Sequence, residues 1–200
     1  MRIFIGIDLD PEVRARIERF IEGAQGFAPD ARWVRAESLH ITLKFIGEQT
    51  PEQVEAIAES LRRVAGSAFE IRASGYGFFP TAKAPRVFWI GIHAGPQLAE
   101  LARNVDAAVT ELGIAREDRP YSPHLTLARG GGGRRASGSP KLHKGDSPNT
   151  LFAALQKRLA GMGEIDFGKM PVRELILYQS RLSPGGSKYT KFQSLPLPNK

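Results

Sequence analysis

A unit of strand, proline-initiated helix and His-x-Thr strand occurs twice in this chain, and any fold must accommodate both copies. The first copy places Phe4-Ile5-Gly6-Ile7 ahead of Pro11 and then His40-Ile41-Thr42-Leu43. The second places Trp89-Ile90-Gly91-Ile92 ahead of Pro96 and then His124-Leu125-Thr126-Leu127. The leading strands recur at an offset of 85 residues and the His-x-Thr segments at 84. Only four histidines occur in 200 residues, so two of them in matched tetrapeptides is not an accident of composition. Two copies of so long a unit are too few and too large for a solenoid. They predict one duplicated, bilobal domain over residues 1–200, of α/β (α+β) class.

Local signals fill in the unit. Ile3, Ile5 and Ile7 alternate as in a strand, and Asp10 with Pro11 starts a helix whose buried stripe is Val13, Ile17, Phe20, Ile21 and Ala24. Arg32 to Arg35 and Leu39 to Ile46 read as strands. Thr50-Pro51-Glu52-Gln53 is a capping box opening a helix to about Val64. Phe69 to Ser74 and Arg86 to His93 follow as strands, Gln97 to Leu112 as a helix, Pro123 to Arg129 as the second motif strand, and Thr150 to Leu159 as a short helix. Val172 to Leu182 and Lys188 to Leu195 read as a closing hairpin around Pro184-Gly185-Gly186. Residues 130–149 depart from this regularity, with a run of glycines and with Arg134, Arg135, Lys141 and Lys144 against a lone Asp146. Such a stretch buries too little apolar surface to offset its ordering entropy, and it reads as a flexible basic loop.

Composition narrows the chemistry. There is no cysteine, which removes disulfides, thiolate nucleophiles and Cys-ligated zinc, and fits a reducing cytoplasm. The N-terminal apolar run breaks at Asp8, too soon for a signal-peptide core, and no stretch approaches the roughly 20 apolar residues of a membrane span. A monomer with no membrane partner is expected. The formal charge of +7 favours a polyanionic partner through long-range attraction. No His-Glu-x-x-His pair or Asp-rich calcium loop is present, so neither metal nor cofactor is expected. Gly185-Gly186-Ser187-Lys188 has the wrong order for a phosphate-binding P-loop.

In a strand, side chains two apart share a face, so each motif offers one imidazole and one hydroxyl to a common surface while Ile41, Leu43, Leu125 and Leu127 point to a core. Two such rings can divide proton transfer, one neutral and accepting, the other protonated and donating, because histidine populates both forms near neutrality. The hydroxyls of Thr42 and Thr126 suit the non-bridging oxygens of a phosphate. Arg129 could add a cationic fork. Strict alternation puts it on the face opposite His124, so it joins the site only if the strand ends or twists there. His93 reads as structural and His143 as solvated.

These paired motifs, with their flanks Ser38-Leu39-His40-Ile41-Thr42-Leu43-Lys44-Phe45-Ile46-Gly47 and Ser122-Pro123-His124-Leu125-Thr126-Leu127-Ala128-Arg129, resemble the two-histidine phosphoesterase superfamily. Within it the chain is most similar to the RNA 2′,3′-cyclic phosphodiesterases, also named 2′-5′ RNA ligases. The resemblance implies two antiparallel sheets facing across a central cleft, with helices outside and both motifs at the cleft's centre. It implies metal-independent hydrolysis of an RNA terminal 2′,3′-cyclic phosphate to a 2′-phosphate, tRNA-derived ends being one source. By the same likeness His40 is the proton donor to the leaving 3′-oxygen and His124 the proton acceptor that activates water, with Thr42 and Thr126 holding the phosphate; Arg129, from the reading of its strand, is the further substrate-binding candidate. Alternatives at the same site are small cyclic nucleotides and 2′-5′ linked oligonucleotides, ligation included; a non-catalytic RNA-binding module is the other class.

Overall fold

A computed structural model describes residues 1–130, 150–183 and 186–198. The glycine-rich basic segment and His143 therefore lie outside the described residues. Nine strands and four α-helices are described: β1 (Arg2–Asp8), α1 (Pro11–Ala24), β2 (Arg32–Trp33), β3 (His40–Glu48), α2 (Pro51–Leu61), β4 (Phe69–Phe79), β5 (Val87–Ala94), α3 (Pro96–Thr110), β6 (His124–Arg129), α4 (Ala153–Ala160), β7 (Asp166–Val172), β8 (Glu174–Ser183) and β9 (Gly186–Pro196). They form two antiparallel sheets, ordered β3-β1-β8-β9 and β2-β6-β5-β4-β7.

The starts of α1 and α2 follow from side-chain chemistry. Asp10 accepts the Glu12 backbone N–H at 2.9 Å. Thr50 and Gln53 exchange the two bonds of the capping box, at 3.3 and 2.9 Å, satisfying donors that the first turn leaves free. Val13, Ile17 and Ile21 are buried along one side of α1, each worth about 1.5–3 kcal/mol relative to exposure. Phe20 of the expected stripe is only partly buried and packs at the rim of the core.

The two repeats are intertwined rather than side by side. Helix α1 follows β1 of the four-stranded sheet but packs on β7 of the five-stranded one, where Arg16 donates to the Phe167 carbonyl at 3.0 Å. Helix α3 follows β5 of the five-stranded sheet but packs on β3 of the other. One continuous hydrophobic core includes residues of both sheets. The repeated glycines have a shared steric cause. A Cβ on Gly6 would sit 2.8 Å from the Ile41 carbonyl oxygen, and one on Gly91 2.7 Å from that of Ser74, so each leading strand needs glycine where a neighbouring backbone approaches closely.

Several expected boundaries move. Strand β7 is absent from the sequence reading because Gly168, at φ +94°, and Pro171 punctuate it. It forms as an edge strand, where proline is tolerated, and it takes Val172 from the expected hairpin. Strand β4 continues past Ser74 to Phe79 because a register shift at Ser74/Tyr76 absorbs Gly75. The expected strand at Arg32 to Arg35 shortens to two residues. The segment from Thr150 opens with a 3-10 turn before α4.

Candidate active site

The motif strands β3 and β6 run beside one another where the two sheets meet. Two hydrogen bonds tie their surroundings together: the Val34 N–H donates to the Leu127 carbonyl at 2.8 Å, and the Tyr121 hydroxyl donates to the Thr42 carbonyl at 3.1 Å. Alternation holds at the start of each strand. Ile41, Leu43, Leu125 and Leu127 are buried, while His40, Thr42, His124 and Thr126 are partly exposed on the other face.

Each histidine is held in the same way. His40 Nδ1 lies 2.8 Å from the Ser38 carbonyl oxygen and His124 Nδ1 lies 2.7 Å from that of Ser122. A carbonyl oxygen can only accept, so Nδ1 carries the proton in both rings. The other nitrogen, Nε2, then carries a lone pair when the ring is neutral and is a donor when it is charged. Sequence reasoning overlooked this bond, although the signal was present: a residue two before each histidine supplies the carbonyl, and Ser occupies that place in both copies.

Aromatic rings pack against both imidazoles. Phe4 is 4.5 Å from the His40 ring, Tyr189 4.9 Å and Tyr178 5.6 Å. Phe79 and Trp89 lie 5.0 and 6.3 Å from the His124 ring. Burial pushes the pKa of His40 down to about 4; the Ser38 carbonyl and Asp8 act upward, Arg129 and Arg14 further downward. In the free protein at neutral pH His40 is therefore an uncharged ring. Asp8 is itself held by Arg14, by the Tyr178 hydroxyl at 3.4 Å and by Lys191.

A β-bulge at the same place in each repeat completes the face. On β3, Lys44 pairs with Ile5 and Thr42 with Gly6, so Leu43 is the extra residue. On β6, Ala128 pairs with Phe88 and Thr126 with Trp89, so Leu127 is extra. Two consecutive residues then point inward, Leu43 with Lys44 and Leu127 with Ala128, and the following residue is turned outward. Arg129 is exposed as a result, on the side from which its charge acts on His40. The bulge supplies the twist that strict alternation lacks. Its counterpart is Phe45, 65% exposed and 5.9 Å from Phe4, which sequence reasoning did not single out. Lys44, turned inward, is buried and bonds Asp106 at 2.6 Å and the Ala115 carbonyl at 2.7 Å. This anchors β3 to α3 and to the segment leading into His124.

Among the described residues no three His, Cys, Asp or Glu side chains converge as a metal site, and no helix is long and apolar enough to cross a membrane. Two tautomerically matched imidazoles with paired hydroxyls, on a duplicated two-sheet fold, define the class of two-histidine phosphoesterases.

Comparison with known proteins narrows this. The model of the LigT-like phosphoesterase family matches twice, over residues 7–89 and 90–189, once for each repeat, and the chain belongs to that family. An RNA 2′,3′-cyclic phosphodiesterase of Archaeoglobus fulgidus is 32% identical over 189 residues, covering 94% of this chain and 96% of that one. Another, from Methanothermobacter thermautotrophicus, is 30% identical over 195 residues, covering 96% and 97%. A third relative so named, from Geobacillus stearothermophilus, is longer: at 30% identity the match takes up 97% of this chain and 56% of that one. Among solved structures, E. coli LigT complexed with 3′-AMP superposes with a TM-score of 0.73 at 26% identity, covering 98% of this chain and 97% of that one.

Proposed function

We propose that this phosphoesterase hydrolyses the 2′,3′-cyclic phosphate at the 3′ end of RNA to a 2′-phosphate, without a metal ion. The observation that carries the reading is the pair of Nδ1-protonated imidazoles on adjacent motif strands, each with a threonine two residues on. The relatives named RNA 2′,3′-cyclic phosphodiesterase support the substrate.

In this scheme His124 Nε2 takes a proton from water as its oxygen attacks phosphorus, the bond from phosphorus to the 3′-oxygen breaks, and that oxygen receives the proton of His40 Nε2. Thr42, Thr126 and Arg129 hold the non-bridging oxygens, whose charge redistributes in the transition state. Phe45 offers an apolar ring beside them for the terminal base. His40 enters the cleft neutral, so its role as donor requires the charge of the bound phosphate to raise its pKa.

The test is incubation of the protein in excess EDTA with short RNAs ending in a 2′,3′-cyclic phosphate, with identification of the product. A 2′-phosphate formed at an undiminished rate is expected. Activity that vanishes in chelator and returns with a divalent ion, or a product carrying only a 3′-phosphate, overturns the scheme.

A further inference from the structure

A second observation lies beside His40 rather than on it. A groove of about 510 Å³ runs between β2 and β9, the outermost strands of the two sheets on this side, and Arg32, Trp33, Arg35, Arg129, Lys188 and Tyr189 line it. Its volume is that of a ligand site. It adjoins the catalytic residues directly: Tyr189 packs on the His40 ring, Ser38 holds that ring through its carbonyl and also lines the groove, and Arg129 acts on His40 through its charge.

The charge pattern says what the groove takes. Three arginines and a lysine face Glu37 alone, and among the described residues none of the four cations stands within ion-pair distance of a carboxylate. The larger cavity of about 710 Å³ at α3 is different: Asp106, Glu117 and Asp118 there stand among Lys44, Arg103, Arg116 and Arg119, and several of these are paired. Most of the charge in that cavity is thus balanced internally, leaving one net positive charge, whereas the groove beside His40 keeps three for an external anion. Guanidinium forks in a row suit successive phosphodiester oxygens.

We propose that this groove seats the nucleotide preceding the cyclic end, with Arg32, Arg35 and Lys188 on its phosphodiester, so that the site selects an oligonucleotide strand over a mononucleotide. The inference rests on the proposed reading of the cleft. With the cyclic phosphate at the histidines, the strand leaves through the 5′-oxygen of the terminal nucleoside and passes Tyr189 into the groove. Arg32, Arg35 and Lys188 are exposed, and among the described residues their side chains enter no hydrogen bond or ion pair; the backbone bonds of Arg32 and Arg35 are unaffected by a change of side chain, so the three can be replaced without disturbing the fold.

The experiment compares adenosine 2′,3′-cyclic phosphate with a trinucleotide bearing the same end, in the parent protein and in Arg32→Gln, Arg35→Gln, Lys188→Gln and the triple variant. The parent is expected to favour the trinucleotide in kcat/KM. Each variant that loses a charge-assisted contact should lose roughly tenfold of that preference, through KM, with mononucleotide turnover within about twofold of the parent. The salt dependence of trinucleotide binding should flatten by about 0.7 per phosphate contact removed. Equal use of both substrates by the parent, or variants that retain the full preference, overturns the proposal. Failure of the parent to hydrolyse either substrate counts against the cleft reading instead. The groove is then tested by binding of a labelled RNA trinucleotide, which the triple variant must weaken if the groove holds RNA.

Discussion

Binding of a phosphodiester in the cleft should return the proton that burial removes from His40. The ring stands at about 4 in the free protein, chiefly through burial. One negative charge about 4 Å away, at the effective dielectric of about 20 that suits sites near a protein surface, is worth about 4 kcal/mol. That corresponds to roughly three pKa units, enough to bring the ring to about 7, where a general acid is most useful. The sign follows from linkage. A ligand that binds the protonated ring better raises its pKa, so affinity for the anion should increase as pH falls from about 7 toward 4. At pH 6 the free ring would be about 1% protonated and the bound ring about 90%, so binding should take up close to one proton. The assay is an NMR titration of the His40 ring, with and without a non-hydrolysable cyclic phosphonate that stays a monoanion over this range. Calorimetry in buffers of different ionisation enthalpy counts the proton. A bound ring that still titrates below about 5, with no proton uptake at pH 6, would refute the assignment of His40 as donor.

Two further outcomes follow from the geometry. His40→Ala and His124→Ala should each lower turnover by about 10²–10⁴, and because both rings act on one transition state the double variant should fall well short of the product of the single losses; near-full activity in a folded single variant would rule out the two-histidine scheme. Gly6→Ala and Gly91→Ala, each forcing a Cβ within 3 Å of a carbonyl oxygen, should cost about 1–3 kcal/mol and lower Tm by several degrees, while Gly23→Ala in α1, with nothing within 4 Å, should raise Tm. Thermal melts of the three variants check the pair of opposite signs.

Much of this was legible in the chain because it is local. The alternation around His40 and His124, the Asp10 and Thr50 caps and the prolines that open α1, α2 and α3 all act within a few residues of their own position, and the duplication is a property of the sequence itself. Strand β7 was not legible, since Gly168 and Pro171 read as a loop until β4 offers an edge to pair with.

The sequence by itself therefore determined the two chemical units, an imidazole and a hydroxyl on one face of a strand, and that there would be two of them. Only the tertiary structure decided how they combine. The bulges after Thr42 and Thr126 exist because β1 and β5 pair with the motif strands out of simple register. They turn Arg129 and Phe45 outward against the local alternation. The burial that lowers His40, the crossing of α1 and α3 onto each other's sheets, and the basic groove between β2 and β9 likewise arise from residues far apart in the chain. Periodicity reports which face a residue takes within its own strand; it carries no record of what the other repeat places opposite.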